Sequence, residues 1–457
     1  MNELTDSAVK YSKIPPDWLE FMKEPKTIVT VKFPVELRTN EIKTITGVRV
    51  IHSNHLLPTK GGLRFSVDTS PEDLEGLANL MSYKAALHDI PFGGAKGCIY
   101  IDPKIYTYEE KVRIVRRFTL EMWKRSMINA STDVMNPDIG TDETIMNIIK
   151  ESYKNLVAKN DVELDAVVTG KGILFGGIGV SKKAAGYGVA RAAAFVEENL
   201  DNKVLAKSGL ASGSSKKSVI IQGFGVVGVS YAKYLVASGN YKIVGMTDEG
   251  TGCFNAAGFD PEEIYAYKKK NDGLQGISRT LNKPEDILTQ KCDIFISSQR
   301  EMSVTKQLAE NIKCKMLIEA SNAPCTKAAL DTLNKRDIIV IPDILSYSGG
   351  FIVSYLEWLK NLEHRNLVLF FRRFESNSRK ILLKSLSTSD YGNFEDNYTG
   401  PTEDELVLMT IEEIMDKSFY EVLNIAEEFN VDLKTAAFKI AIESIYNKYK
   451  NLGGINI

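Results

Sequence analysis

Three lysines and one aspartate stand out because their surroundings suit acid–base chemistry and carboxylate binding. Lys60 begins KGGLRF, Lys84 ends MSYK, Lys96 lies in FGGAKG, and Asp138 lies in NPDIGT. Each lysine adjoins glycines or an apolar run, which a solvent-exposed charge would not need. In a shared cleft the cations would disfavour one another's protonation, so one lysine could be neutral near pH 7 and act as a base while the others bind carboxylates. The alternative is ordinary surface charge.

A glycine-rich turn farther along the chain is typical of a dinucleotide site. The apolar run SVIIQ predicts a strand, and GFGVVG after it places Gly223, Gly225 and Gly228 before the predicted helix VSYAKYLVASG. Such a turn lets the backbone approach a pyrophosphate at a helix N-terminus. A tight strand–helix turn without a ligand is the alternative.

The next predicted strand, YKIVGMTD, ends in an acid. Asp248 lies 20 residues after Gly228, where a carboxylate can bond the ribose hydroxyls of NAD. Asp248 therefore slightly favours NAD over NADP. A solvated turn aspartate explains the same residue nearly as well.

Length and composition narrow the class of protein. The 457 residues are too many for one core and predict two domains with additional elements. Hydrophobic residues make up 44% and charged residues 25%, which is ordinary for a globular protein. A net charge of -2 provides no basic field for nucleic acid or an acidic membrane, so we expect neither partner.

Metal binding and membrane insertion are not expected. The five cysteines are scattered without a C-x-x-C pair, which predicts reduced thiols, and only His52 and His55 of the four histidines are neighbours. No stretch approaches the roughly 18 apolar residues of a membrane span. Residues 1–18 lack the apolar core of a signal peptide and the Arg-rich pattern of a transit peptide.

Taken together, the motifs resemble the Glu/Leu/Phe/Val dehydrogenase family and, within it, the hexameric glutamate dehydrogenases of the animal and ciliate type. The resemblance rests on KGGLRFS, FGGAKG, NPDIGT, VTGK, QGFGVVG, EASN and GGFIVSYLEWLKNLEH, which follow the family's order from about Phe33 onward. It implies an α/β fold. An N-terminal α/β substrate domain (1–180) would precede a Rossmann-like, doubly wound dinucleotide-binding domain (181–345). C-terminal helices (346–457) would carry a shortened antenna at about 365–410, with an ordinary surface insertion as the alternative.

The resemblance also implies roles for the charged residues. Lys96 would activate water or ammonia at the substrate α-carbon, with Asp138 as its proton-exchanging partner, and Lys84 would hold the α-carboxylate.

A second group would hold the distal carboxylate of the substrate. The resemblance assigns this role to Lys60 and Ser354, with Arg64 supporting them. Relatives that act on leucine, valine or phenylalanine need an apolar pocket there, where a buried unpaired ammonium would cost several kcal/mol, so Lys60 favours glutamate. The cofactor-binding residues implied in the same way are Gly223, Gly225, Val226, Val227, Gly228, Asp248 and Asn322.

The implied reaction interconverts L-glutamate with 2-oxoglutarate and ammonia, using NAD or NADP and no metal. The implied assembly is a homo-hexamer, with a dimer or trimer as the alternative. The implied location is the mitochondrial matrix, with the cytoplasm as the alternative because no transit peptide is visible.

The departures from the family lie mainly on the nicotinamide side. Val226 replaces an asparagine of the glycine turn, Ser297-Ser298-Gln299 replaces Pro-Ala-Ala, and Tyr347-Ser348 replaces Asn-Ala. The glycine-rich segment 171–188, predicted as an irregular hinge, lacks the family's arginine and threonine. Two hypotheses follow: an active glutamate dehydrogenase, or a catalytically weak or inactive relative that acts as a structural or regulatory subunit.

Overall fold

The structure is a computed structural model that describes residues 2–156, 163–211, 216–277, 283–363 and 401–451. These residues form two α/β units and a pair of long C-terminal helices, which is the predicted fold class. The helices and strands are, in chain order, α1 (Asn2–Val9), α2 (Pro16–Lys23), β1 (Thr27–Glu36), β2 (Ile42–Ser53), β3 (Thr59–Phe65), α3 (Pro71–Leu87), β4 (Gly93–Ile99), α4 (Tyr108–Trp123), β5 (Asp133–Pro137), α5 (Glu143–Leu156), α6 (Ser181–Glu198), α7 (Lys203–Ala206), β6 (Lys217–Gln222), α8 (Val226–Ala237), β7 (Tyr241–Asp248), β8 (Thr251–Phe259), α9 (Pro261–Asn271), α10 (Pro284–Leu288), β9 (Ile294–Ser297), α11 (Lys306–Asn311), β10 (Met316–Glu319), α12 (Lys327–Lys335), β11 (Ile339–Ile341), α13 (Asp343–Ser346), α14 (Gly349–Glu363), α15 (Glu403–Phe429) and α16 (Leu433–Asn451).

The first unit is built on a five-stranded mixed sheet in the order β1-β2-β4-β3-β5. β2 is antiparallel to both β1 and β4, whereas β3 is parallel to β4 and β5. Burial alternates along the second half of β1, as the sequence pattern predicts for a half-buried strand. β3 and β4 are buried along their whole length, so their charged residues lie inside the unit.

The second unit contains a six-stranded sheet in the order β11-β10-β9-β6-β7-β8. All neighbours are parallel except β8, which is antiparallel to β7. Because β6 pairs with β7 on one side and β9 on the other, the winding reverses there and opens a crevice at the carboxyl ends of these strands. β8 was not predicted, since its half-exposed FNAAG stretch has low strand propensity.

The beginning of β4 differs from the sequence prediction. The glycines of GGAK predict a turn before a strand at GCIYIDP, yet β4 begins at Gly93 and includes Lys96. The glycines serve close packing instead: a Cβ at Gly94 would lie 2.2 Å from Ser82 Oγ on α3, and a Cβ at Gly61 of β3 would lie 1.6 Å from the Ala95 carbonyl oxygen.

The predicted hinge 171–188 is only partly irregular, because α6 begins at Ser181. Its glycines lie where other elements approach the helix. A Cβ at Gly186 would lie 2.5 Å from Ser230 Cβ, and a Cβ at Gly188 would lie 2.8 Å from the Gly349 nitrogen. The glycines of α6 therefore allow helix packing and do not interrupt the helix.

The C-terminal part of the chain is described from residue 401 onward. Most of the predicted antenna, about 365–410, lies outside the described residues, but its last part forms the first turns of α15. Thr402 caps that helix in a reciprocal capping box with Glu405. None of the described helices is both long and apolar enough to cross a membrane. The predicted domain boundaries stay predictions.

A buried ionic cluster joins the last helix to the second sheet. Lys434 of α16 places its Nζ 2.6 Å from Glu319 at the end of β10 and 3.4 Å from Asp343 of α13. All three side chains are buried. Burial raises the pKa of Glu319. Burial also opposes ionisation of Asp343, but Lys434 and Lys84 outweigh it and hold the pKa of Asp343 below its usual range. The cluster therefore ties α16, β10 and α13 together.

We expect Lys434→Met to lower the free energy of unfolding by about 3–5 kcal/mol, because two buried carboxylates lose their cation. Lys448→Met is the matched control: it breaks the exposed contact with Asp89 and should cost at most about 1 kcal/mol. Urea unfolding followed by circular dichroism measures both. Equal losses in the two variants would contradict a stabilising role for the cluster.

Candidate functional site

A lysine of β4 and the aspartate directly after β5 meet across β3, which lies between these two strands in the first sheet. The Lys96 Nζ of β4 lies 2.8 Å from Oδ2 of Asp138, the residue after β5. The sequence permits this contact because Gly62 of β3 lies beside it: a Cβ there would be 2.8 Å from Asp138 Cβ and 3.3 Å from Lys96 Nζ. Glycine thus provides the space in which the pair forms.

The pair has the electrostatics of a proton-transfer site. Burial lowers the pKa of Lys96, and the positive charge of Arg64 lowers it further. The negative charge of Asp138 raises it, but by less. Burial acts to raise the pKa of Asp138, but Lys96 and Arg64 outweigh it and hold that pKa below its usual range. An amine with a weakened hold on its proton beside an ionised carboxylate suits general acid–base chemistry.

Arg64 lies elsewhere than the sequence predicts. Its Nε donates to Asp138 Oδ2 at 2.7 Å, its Nη2 to Glu301 Oε1 at 3.0 Å, and its Nη1 to Thr69 Oγ1 at 3.4 Å. The physical reason is the geometry of β3: four residues of strand put roughly 13 Å between Arg64 and Lys60. Arg64 therefore contacts the Lys96–Asp138 pair and not the predicted distal carboxylate group.

Lys84 links the two units across the cleft. It projects from α3, the predicted helix that begins with the Ser70 cap, and its Nζ donates to the Tyr347 carbonyl oxygen at 2.8 Å. The Asn322 Oδ1 lies 3.5 Å away, and the Tyr347 ring centre is 4.9 Å from the same ammonium. Burial lowers the pKa of Lys84 to about 8. A predicted substrate ligand and a predicted cofactor ligand therefore lie side by side.

Lys60 is a fully buried cation whose described partners are neutral. Its Nζ donates to Thr169 Oγ1 at 2.6 Å and to Asn136 Oδ1 at 3.2 Å. Among the described residues no carboxylate lies within ion-pair distance of Lys60, and burial lowers its pKa to about 7. A desolvated amine with neutral partners gains greatly from an anion placed beside it.

Ser354 lies on α14, which packs against the segment that bonds Lys60. One turn later on α14, the buried Glu357 accepts from Lys171 Nζ at 2.7 Å and from the Gly170 nitrogen at 2.9 Å. Gly170 directly follows Thr169, the acceptor of Lys60. Because residues three apart share a helix face, buried Ser354 and Glu357 lie on the same side of α14.

The glycine turn after β6 has the features a dinucleotide requires. Gly223 has φ +92°, which favours glycine, and a Cβ at Gly228 would lie 2.5 Å from the Gly223 carbonyl oxygen. A Cβ at Gly225 would meet nothing within 4 Å, so the space beside this glycine is open. The helix α8 begins at exposed Val226, followed by half-buried Val227. An open glycine at the N-terminus of a helix fits a pyrophosphate.

Asp248, at the end of β7, is already paired. Its carboxylate contacts Lys268 of α9, and the Lys268 Nζ also donates to the Phe224 carbonyl oxygen at 3.1 Å. A cation therefore lies at the position where the sequence predicts only an acid. Neither Lys268 nor Glu301 was predicted, because each comes from an element without a local motif and reaches the site through tertiary packing. Within the described part of the chain, no group of three potential metal ligands occurs.

The two sheets, the glycine turn at the switch point and the lysine-lined cleft define a dinucleotide-dependent oxidoreductase. Two family models match the sequence: "Glu/Leu/Phe/Val dehydrogenase, dimerisation domain" over residues 25–155 and "Glutamate/Leucine/Phenylalanine/Valine dehydrogenase" over residues 176–385. The chain belongs to the Glu/Leu/Phe/Val dehydrogenase family.

Individual relatives are similar along nearly the whole chain. The mitochondrial glutamate dehydrogenase of Dictyostelium discoideum is 34% identical over 98% of this chain and 90% of its own length. The glutamate dehydrogenase of Thermotoga maritima is 30% identical over 96% of this chain and 93% of its own length. Among solved structures, the hetero-hexameric glutamate dehydrogenase of Thermus thermophilus aligns with a TM-score of 0.83 at 27% identity, covering 100% of this chain and 96% of that chain.

Two alanine substitutions separate the ligand-facing glycine from the packing glycine. We expect Gly225→Ala to keep folding stability within about 1 kcal/mol, since its φ of -86° suits alanine, and to weaken NADH binding because the added methyl fills the open space. Gly228→Ala should instead destabilise the second unit, because its Cβ would lie 2.5 Å from a backbone oxygen.

Thermal unfolding and NADH fluorescence titration of both variants test this distinction. Unchanged NADH affinity in well-folded Gly225→Ala would contradict the placement of a dinucleotide at this turn.

Proposed function

We propose that this chain is a glutamate dehydrogenase, which converts L-glutamate to 2-oxoglutarate and ammonia and catalyses the reverse reaction. The observation that carries the proposal is Lys60, a fully buried amine that bonds only neutral oxygens in the described part of the chain and lies on β3, beside the strand β4 that carries Lys96 of the Lys96–Asp138 pair. A buried amine of this kind disfavours an apolar side chain and favours a second carboxylate. The similarity to glutamate dehydrogenases of two organisms supports the same substrate.

The roles of the side chains follow from their charge and position. Lys84 would bind the α-carboxylate, while Lys60 and Ser354 would bind the distal one. Lys96, when neutral, would accept a proton from the substrate amine or from water at the α-carbon. Asp138, 2.8 Å from the Lys96 Nζ, would exchange that proton.

The residues at the carboxyl edge of the second sheet fit a nicotinamide dinucleotide. Gly223, Gly225, Val226, Val227 and Gly228 would hold the pyrophosphate, Asp248 the adenosine ribose, and Asn322 the nicotinamide half. When bound, the nicotinamide would accept a hydride from the glutamate α-carbon or return it in reverse.

Either NAD or NADP would serve as the cofactor. Asp248 favours NAD, but its contact with Lys268 offsets the negative charge that would repel a 2′-phosphate. NAD is therefore preferred only slightly. Two similar enzymes are described as NAD-specific glutamate dehydrogenases, from Halobacterium salinarum and Clostridioides difficile, which supports NAD.

The proposed assembly is a homo-hexamer in which the N-terminal unit provides subunit contacts. The Thermus thermophilus structure is a hetero-hexamer and the matching N-terminal family model is a dimerisation domain, which supports a hexamer without distinguishing like from unlike subunits. The proposed location is the mitochondrial matrix, as for the Dictyostelium relative, with the cytoplasm as the alternative.

One contact favours the second candidate, a catalytically weak structural or regulatory subunit. Tyr347 stands where the family has asparagine, and both its carbonyl oxygen and its ring contact Lys84, the proposed α-carboxylate ligand. A substrate must compete with that contact. Titration with NADH and 2-oxoglutarate separates the candidates: micromolar binding of both supports the enzyme, and absence of binding supports the subunit role.

Lys96, Asp138 and Lys60 should respond differently to substitution. Lys96→Ala and Asp138→Asn should each lower kcat by about 100-fold or more, the scale expected for loss of a general acid or base. Lys60→Ala should mainly raise KM for 2-oxoglutarate, because it removes a binding group remote from the reacting carbon.

Ammonia-dependent oxidation of NADH and of NADPH, measured with each purified variant and the wild type, checks these effects. Wild-type protein that is folded but gives no 2-oxoglutarate-dependent rate with either cofactor would refute the proposed function.

A further inference from the structure

Arg64 connects the two units at the proposed catalytic pair. Its Nε donates to Asp138 Oδ2 at 2.7 Å, the same oxygen that lies 2.8 Å from Lys96 Nζ, while its Nη2 donates to Glu301 Oε1 at 3.0 Å. Asp138 belongs to the first unit, whereas Glu301 lies in the loop after β9 of the second. One guanidinium therefore bonds carboxylates from both sides of the cleft.

The contact borders an open cavity and not a packed core. A cavity of about 810 Å³ separates the two units here, and its walls include Arg64, Thr69, Glu72, Ile139, Glu301 and Met302. The Arg64 side chain is 5% exposed and that of Glu301 is 27% exposed. Because Arg64 lies on β3 and Asp138 directly follows β5 of the same sheet, a relative movement of the units would break the bond to Glu301 and leave the bond to Asp138.

The two charges at this contact act on the pair in opposite directions. Burial and the charge of Arg64 lower the pKa of Lys96, whereas Asp138 and Glu301 raise it. Lys96 is therefore more basic when the Glu301 carboxylate offsets the charge of Arg64 than when Glu301 is absent. Among the described residues, the other titratable groups that interact with the pair are Lys84 of α3, Cys98 of β4 and Tyr347 before α14.

We propose that Glu301 is a positioning residue that couples proton transfer to closure of the cleft, by bonding Arg64 and offsetting its charge beside Lys96 and Asp138. This inference rests on the proposed function. In the open cleft Arg64 bonds Asp138 without Glu301, and the pair is a weaker base. In the closed cleft Glu301 bonds Arg64 and offsets its charge, so Lys96 becomes a stronger base once the substrate is enclosed.

The pH dependence of Glu301→Gln tests this coupling. If the rate rises with pH as Lys96 loses its proton, removal of the Glu301 charge lowers the pKa of Lys96 and moves this acidic limb to lower pH. We expect the limb of kcat, which reports the enclosed complex, to move by about half a pH unit or more. The limb of kcat/KM, which reports the free enzyme with its cleft open, should move less. Glu301→Asp keeps the charge, so both limbs should lie close to their wild-type positions.

Glu72→Gln is the matched control, because Glu72 is an exposed acid lining the same cavity that makes no described bond to Arg64. It should leave both limbs in place. The inference is overturned if the limbs of Glu301→Gln match those of the wild type, if Glu72→Gln shifts them equally, or if kcat and kcat/KM shift by the same amount. A wild type without glutamate-dependent activity would refute the proposed function itself, whereas an active wild type with unmoved limbs refutes only the role of Glu301.

Discussion

Burial of positive charge is the constraint on which the cleft depends. Lys60, Lys84 and Lys96 all lose hydration on folding, and burial lowers the pKa of each. Within the described chain only Lys96 has a carboxylate in contact, while the other two ammonium groups bond neutral oxygens. Such burial costs several kcal/mol unless an anion compensates for it. The proposed dicarboxylate substrate would supply that compensation.

The rest of the molecule keeps this unfavourable arrangement in place. Glycines in β3 and β4 let strands and α3 approach closely enough to enclose the lysines. On the opposite side, Asp343 is held by Lys434 and accepts from the Ala323 nitrogen at 2.8 Å. Ala323 follows Asn322, whose side chain contacts Lys84. The ionic cluster of Lys434, Glu319 and Asp343 is therefore connected to Lys84 through these two adjacent residues. Favourable interactions elsewhere in the fold thus offset the cost of burying the lysines at the site.

Hydrophobic alternation, helix caps and apolar runs in the sequence predict the strands and helices that depend on neighbouring residues along the chain. Alternation along VTVKFPVE and KTITGVRVIH predicts β1 and β2, and the Ser-Pro-Glu signal at Ser70 predicts α3. The apolar runs SVIIQ, YKIVGMTD, CDIFIS, MLIEAS and IIVIPD predict the five parallel strands of the second sheet. The predictions at β4 and α6 are wrong because they treat glycine as a turn former. In the structure these glycines allow close packing against elements that are distant in the sequence. The resemblance also pairs Lys96 with Asp138, which lie 2.8 Å apart, while the roles it assigns to this pair and to Lys84 stay predictions. The sequence could not predict Glu301 or the partners of Arg64, which depend on how the two units meet.

Proton uptake on ligand binding tests most directly whether Lys60 receives a distal carboxylate. At pH 8 an amine with a pKa of about 7 is mostly neutral, and a carboxylate placed beside it raises that pKa and draws in a proton. Calorimetry of the NADH-bound protein in buffers of different ionisation enthalpy gives the protons taken up with 2-oxoglutarate and with 2-oxopentanoate, which lacks the distal carboxylate. We expect greater uptake with 2-oxoglutarate, by up to about one proton, and loss of that difference in Lys60→Met. Equal uptake with the two acids in the wild type would contradict this role of Lys60.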